Sequence, residues 1–277
     1  MATVGYEYSA EEPLNREPPV EDLVSSFFTE SDGYDRNHGP IPHIDASEHI
    51  VRVDGAVENI LELSVDQLHK DFEQHEVTPC QEESWYGGSI ELERAMREDA
   101  DVVLALEMNG NSLSPNHGYP VRVVAPGIAG ARSVKWLDCI TVQLRESANF
   151  YQQHDYKVLP PEAVDGESAK QYWHTVPAIQ DMPVNSVVAV PKSGDTVAVS
   201  PDGTIPVKGY ALPSGENGPV TKVEVSSDEG KTWNEADLIS HPEDCENTKW
   251  AWILWRAAVK VEPGHPRYAL DDIGPLA

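Results

Sequence analysis

Six short segments between Val184 and Val261 alternate apolar and polar residues: VNSVVAVP, DTVAVSP, TIPVKGYAL, VTKVEVSSD, KTWNEADL and KWAWILWRAAVKV. Clusters of Gly, Pro, Ser, Asp and Asn separate them. A period of two turns one face of each segment to a core and the other to water, and strands recurring every ~8–14 residues with turn signals between them are the pattern of a β-sandwich. Helices cannot satisfy it. Trp233, Trp250, Trp252 and Trp255 are expected mainly as core or interface material. Alternation through TKWAWILW places Trp250, Trp252 and Leu254 on one face of the last strand, and a second apolar face there points to an interface between subunits or domains.

The chain before this array reads differently. IVRVDGAVENILELSVDQL, from Ile50, predicts a strand, a turn at Asp54-Gly55, a second strand, and a helix capped by Ser64 with Gln67 at its third position, running to about His75. His69 and His75 are six apart and fall on opposite sides of such a helix, which argues against a shared metal. Ser89 is expected to cap a short helix through Met96. DVVLALEMNG is expected as a buried strand ending in an Asn109-Gly110 turn, followed by strands at YPVRVVAP and SVKWLDCITVQL. The fold class is therefore α+β: a mixed α+β domain, then a sandwich. The expected division is an acidic leader over 1–30, a first domain over 31–155, a Pro-bearing connector over 156–183, and a sandwich over 184–277.

From Met108 to Trp136 there is no Asp or Glu, in a chain of 47 acidic and 20 basic residues with a formal net charge of -27. This island carries His117, Arg122, Arg132 and Lys135, with Gly127, Gly130 and Ala131 in a loop expected to expose backbone amides. Two guanidiniums, an ammonium and glycine-flanked amides could cradle an anion sheltered from the surrounding carboxylates. An apolar turn between two buried strands would exclude acids equally well, and composition alone leaves the two readings level.

The same acidity disfavours nucleic acid and anionic membrane and favours a basic partner, such as a small cationic redox protein. No stretch approaches eighteen consecutive apolar residues, so no membrane-spanning helix is expected. Cys80, Cys139 and Cys245 are too few and too irregular for a disulfide framework or a paired-cysteine metal site, which fits a reducing compartment. The first thirty residues lack the features of a secretory signal or transit peptide, leaving a cytoplasmic location as the default expectation. Cys139, on an alternating strand, is expected in the core.

DRNHGPIP at 35–42, WYGGSIELERAM at 85–96 and NHGYPVRVVAPGIAGARSVKWL at 116–137 precede the sandwich and its WAWILW segment. In that order they resemble the sulfite oxidase family of molybdopterin enzymes. The resemblance covers roughly residues 30–260. It implies a mixed α+β molybdenum-cofactor domain followed by an immunoglobulin-like dimerisation domain, and a homodimer. By motif, Arg36, Asn37, His38, His117, Arg122, Arg132, Ser133, Val134 and Lys135 would contact a molybdopterin cofactor. Arg36 and Tyr86 would line the pocket of the substrate anion, sulfite, oxidised to sulfate by oxygen transfer from molybdenum. A nitrate reductase-type molybdenum domain shares much of that frame and stays open as an alternative.

One departure is internal. The family carries a Cys-Ala-Gly-Asn-Arg-Arg-like segment whose thiolate ligates molybdenum, whereas this chain passes from HEVT at 75–78 to PCQEESWYGGSI without it. Cys80 lies in the stretch that resembles the following family segment, so no metal ligand is assigned. PRYALDDIGPLA ends the chain where the family sandwich continues, so an open apolar edge and pairing are expected. Inactivity of this shortened form, as a non-catalytic dimerisation fragment, is accordingly a further alternative.

Overall fold

A computed structural model describes residues 14–16, 18–27, 35–37, 40–75, 87–242 and 247–261. The first strands come from distant parts of the chain: β1 (Leu14–Arg16) runs antiparallel to β2 (Asp35–Asn37), with Arg16 opposite Asp35. The segment expected as an acidic leader thus contributes a strand. Its continuation docks on the second domain, where Glu21 meets Lys192, the Phe27 ring lies 4.4 Å from that of His241, and Trp252 Nε1 donates to Phe27 O. β2 is extended, in keeping with Gly39, Pro40 and Pro42 just after it, which disfavour helix.

β3 (Ile50–Gly55) is the centre of a three-stranded sheet. It pairs antiparallel with β4 (Leu61–Ser64) and receives α1 (Val65–Lys70) beneath it through the buried Leu68. Ser64 and Gln67 form the capping box expected of them, each side chain accepting from the other's backbone N–H. The helix stops at Lys70, short of His75, because Gln74 Nε2 folds back onto the carbonyls of Leu68 and Phe72 and caps its end. Ser64→Ala is expected to cost about 1 kcal/mol, a fall of roughly 2–4 °C in thermal midpoint for a chain of this size. Calorimetry on the two proteins checks this.

α2 (Leu92–Met96) begins two residues later than expected, with Glu91 at its cap position. Ser89 does not cap it; its hydroxyl accepts from Ser147 N and its amide donates to Gln152 Oε1. The stretch expected as one buried strand is broken into β5 (Val103–Ala105) and β6 (Glu107–Met108), and its end is exposed. The hairpin survives: Asn109 and Gly110, both at positive φ, turn β6 into β7 (Asn111–Ser112). β8 (Arg122–Val124) pairs with β5. Only Cys139–Val142 of the expected third strand is regular, as β9, and it pairs in parallel with β3 rather than with its neighbour β8. Gly55 permits that join, since at φ 88° a Cβ would stand 2.2 Å from Val142 O. Cys139 is exposed, contrary to expectation, with its sulfur beside Thr141 and Asp54 on the outer face of this sheet. Val51, Leu68, Val121 and Leu137 form the buried centre of the domain. α3 (Phe150–Gln153) and α4 (Gly166–Ala169) lead into the second domain.

There, β10 (Asn185–Val190), β11 (Thr204–Leu212), β12 (Glu224–Val225), β13 (Asn234–Glu235), β14 (Asp237–Ile239) and β15 (Ile253–Lys260) build the sandwich. One sheet has the order β10-β11-β15-β14 and the facing ribbon is β12-β13. Ile205, Val207 and Ala211 of β11 point inward with Ile253, Trp255 and Val259 of β15, against Val223, Val225 and Ala236 of the opposite layer. DTVAVSP forms no strand; Pro191 and Pro201 bracket it, and a proline has no N–H to give a ladder. β15 starts at Ile253, so Trp250 and Trp252 precede it rather than share its face with Leu254. The interface they were expected to mark is real: Trp250 is buried against the first domain, its Nε1 donating to Asp101 Oδ2 at 2.6 Å.

Candidate functional site

A tight 3-10 turn at Pro115–His117 brings the island's histidine to β2. Pro115 opens the turn, where no amide is needed, and Gly118 closes it at φ 103°. A Cβ on Gly118 would stand 3.0 Å from Lys135 Cβ and 3.1 Å from Arg122 Cβ, so the glycine is what lets the turn lie directly on both cations.

His117 is held at both ring nitrogens, with Nδ1 2.7 Å from Ser114 Oγ and Nε2 3.1 Å from Asp35 Oδ1. Asp35 is wholly buried and also accepts from Asn116 Nδ2 and Arg16 Nη2. Ser114 Oγ lies 2.6 Å from Asn116 Oδ1. The hydroxyl is therefore engaged on both sides, and the Asp35–His117–Ser114 chain acts to fix the imidazole rather than to activate a nucleophile.

Lys135 is 1% exposed, and its ammonium donates to Asn37 Oδ1 at 2.9 Å, Asn116 O at 2.7 Å and Arg36 O at 3.4 Å. Arg122 donates from Nη1 to His117 O and from Nη2 to Ser133 O, both at 3.1 Å, joining the turn to the far end of the island. Burial lowers the His117 pKa from 6.5 to about 4; Lys135, Arg122 and Arg16 act in the same direction, and Asp35 opposes them. The ring is thus neutral at pH 7 and can both donate and accept.

These residues fit an anionic group rich in acceptor atoms. Asn37 is 0% exposed, yet its Nδ2 has no hydrogen-bond partner among the described residues. A buried amide donor left in that state costs about 1–3 kcal/mol, which a bound acceptor would recover. The pterin and phosphate of a molybdopterin offer such acceptors alongside the cations.

The structure brings together Asn37, His117, Arg122, Ser133 and Lys135 of the expected set, with Arg36 joined through its carbonyl. Ser133 contributes mainly locally, its Oγ accepting from Ala125 N. Val134 packs on the hydrophobic centre. Arg132 points elsewhere: Nε and Nη2 both donate to Ile179 O in the connector. The glycine loop was expected to expose amides, but those of Ala129, Arg132 and Ser133 donate to Gln180 O, Ala129 O and Gly130 O, so it is a packing turn. His38, Tyr86, Cys80 and Cys245 lie outside the described residues. Asp35, Ser114, Asn116 and Arg16 belong to the network without having been expected there. Asp35 and Asn116 stood in the quoted motifs, but only a fold shows that a carboxylate and an amide 81 residues apart meet.

The neutral imidazole carries a pH consequence. Between pH 6.5 and about 4 the unfolded chain takes up a proton at His117 that the folded chain refuses. Stability should therefore fall as pH drops through this window, on the order of 3 kcal/mol in full. Urea midpoints of the wild type and His117→Gln, compared between pH 7 and 4.5, check this: the variant should show the shallower loss.

Two family models match the chain: the oxidoreductase molybdopterin binding domain at residues 77–151 and the Mo-co oxidoreductase dimerisation domain at 176–270. Sulfite oxidase of Gallus gallus is 35% identical, the alignment covering 94% of this chain and 69% of that protein. Its 325 aligned positions exceed the 277 residues of this chain, so the relative carries residues within the matched span that have no counterpart here. Sulfite oxidase of Arabidopsis thaliana is 33% identical over 91% of this chain and 82% of its own. The NADH nitrate reductase of Solanum lycopersicum is 31% identical over 90% of this chain and 35% of its own. Among solved structures, the sulfane dehydrogenase SoxCD of Paracoccus pantotrophus shares the fold, with a TM-score of 0.68 at 20% identity over 92% of this chain and 75% of that one.

Proposed function

Because the chain belongs to the sulfite oxidase family of molybdopterin oxidoreductases, we propose that it holds the cofactor at the Asn37–His117–Lys135 cluster and oxidises sulfite to sulfate. The observation that carries this reading is the buried ring of Asp35, Asn116, His117 and Lys135 closing on an Asn37 amide with a hydrogen to spare. When bound, the cofactor supplies two-electron redox chemistry and transfer of an oxygen atom to sulfur.

The chain's own residues do the rest. Asn37 Nδ2 would donate to an acceptor edge of the pterin. Lys135, fixed by three oxygen acceptors, presents its charge without having to be ordered on binding. His117 stays neutral beside it, held at its two ring nitrogens by Ser114 and Asp35. Arg36, half-buried on the same strand, would attract the sulfite anion, with Tyr86 as its counterpart. A surface carrying a net charge of -27 favours a basic electron acceptor, and pairing through the sandwich would give a homodimer.

A second reading, a cofactor-binding but non-catalytic form, is favoured by one observation: the sequence contains no Cys-Ala-Gly-Asn-Arg-Arg segment. Measuring pterin and molybdenum per chain after expression in a host that assembles the cofactor separates the readings, with sulfite-dependent dye reduction as the activity readout. Near-stoichiometric cofactor with sulfite turnover is the expected result. Cofactor without turnover selects the second reading, and nitrate reduction by a reduced viologen would instead select a nitrate reductase-type domain. Absence of pterin sinks the cofactor site itself.

A further inference from the structure

Lys135 and Ser133 are carried by the loop from Ala125 to Arg132, and the first domain does not hold that loop alone. Asp181 in the connector bridges Ile128, while Gln180 O accepts from Ala129 N at 2.7 Å, Met182 N donates to Gly127 O at 3.0 Å, and Ile179 O takes the Arg132 guanidinium. Arg94 pins the same loop from the other side, Nη1 on Asp181 Oδ1 at 2.6 Å and Nη2 on Pro126 O at 2.9 Å. The sandwich closes the grip. Gly215 N donates to Met182 O, and a Cβ on Gly127 would stand 2.4 Å from Gly215 O and 2.7 Å from the Trp250 ring.

We propose that this clasp, with Gly127, Arg94 and Asp181 as positioning residues, sets the cofactor wall at Ser133–Lys135, so that cofactor retention depends on the seating of the second domain. The chain runs directly from the gripped loop into the wall, so a displacement at Gly127 moves Ser133 and Lys135 against β2. This rests on the reading of the Asn37–His117–Lys135 cluster as a molybdopterin site.

Gly127→Ala and Gly110→Ala, made in the full chain, test it. Both glycines have nearly the same backbone strain, φ 71° and 70°, but Gly110 has nothing within 4 Å of an added Cβ. Pterin released from purified protein is measured by fluorescence after oxidation, and amide hydrogen exchange is followed over Val121–Leu137. Gly127→Ala should retain at least tenfold less pterin and exchange faster over that stretch, with Gly110→Ala matching the wild type in both. Wild-type pterin content and exchange in Gly127→Ala would overturn the proposal. If the wild type itself carries no pterin, the cofactor reading fails, and exchange alone decides the clasp: faster in Gly127→Ala supports it, unchanged overturns it. Should Gly127→Ala not fold, Asp181→Ala replaces it, since that side chain is 60% exposed. A threefold loss of pterin or faster exchange is then expected, and neither change overturns the clasp.

Discussion

Changing Lys135 to methionine should cost about 3 kcal/mol of stability and reduce retained pterin at least tenfold. The ammonium serves Asn37 Oδ1, Asn116 O and Arg36 O inside a site that admits almost no water. Methionine fills the space of the stem but leaves the acceptors bare, and buried unsatisfied acceptors carry a larger penalty than a lost exposed bond. Arginine should not rescue the loss, because a planar fork cannot address three acceptors arranged around one point. Chemical denaturation and pterin fluorescence on Lys135→Met and Lys135→Arg decide the matter. A methionine variant within about 0.5 kcal/mol of wild type and still carrying its pterin would show that the lysine is incidental.

The largest effect on folding is expected at Trp255. It is 1% exposed at the centre of the sandwich, and its ring presses so closely on β11 that a Cβ on Gly209 would stand 2.3 Å from it. Trp255→Ala should cost about 3–5 kcal/mol through lost transfer energy and an unfilled cavity. Trp255→Phe should cost far less, about 1 kcal/mol. The indole N–H has no partner among the described residues, so phenylalanine forfeits volume but no hydrogen bond. Urea titration followed by far-UV circular dichroism measures both, and equal losses for Ala and Phe would mean that something other than packing holds the tryptophan.

The sandwich was largely legible because its signal is local: the alternation in TIPVKGYAL reappears residue by residue as buried and exposed positions on β11. The capping box at Ser64 was legible for the same reason. What the sequence hid was partnership at a distance. Period-two patterning says which way Cys139 turns relative to its neighbours but not which face is covered, and the covered face of β9 belongs to Ile140. The charge island left an anion cradle and a buried turn level, and in the fold His117, Arg122 and Lys135 do converge. The amides of the glycine loop were misread because one, Ala129 N, is consumed by a connector some fifty residues downstream, while those of Arg132 and Ser133 turn back onto the loop's own carbonyls. Arg132 went the same way, as a guanidinium satisfies neutral carbonyls as readily as it meets an anion.

The parallel pairing of β3 with β9 has a consequence for how the molecule is made. Arg52 aligns with Cys139, and Asn37 reaches Lys135 across 98 residues, so neither the sheet nor the pocket can close until most of the first domain has left the ribosome. The β6–β7 hairpin joins neighbours and can form at once, whereas long-range parallel pairing must wait for costly loop closure. The pocket is thus a late product of folding. Cofactor supplied during synthesis would meet a chain whose binding residues are still scattered, and loading should follow, not accompany, closure of that sheet.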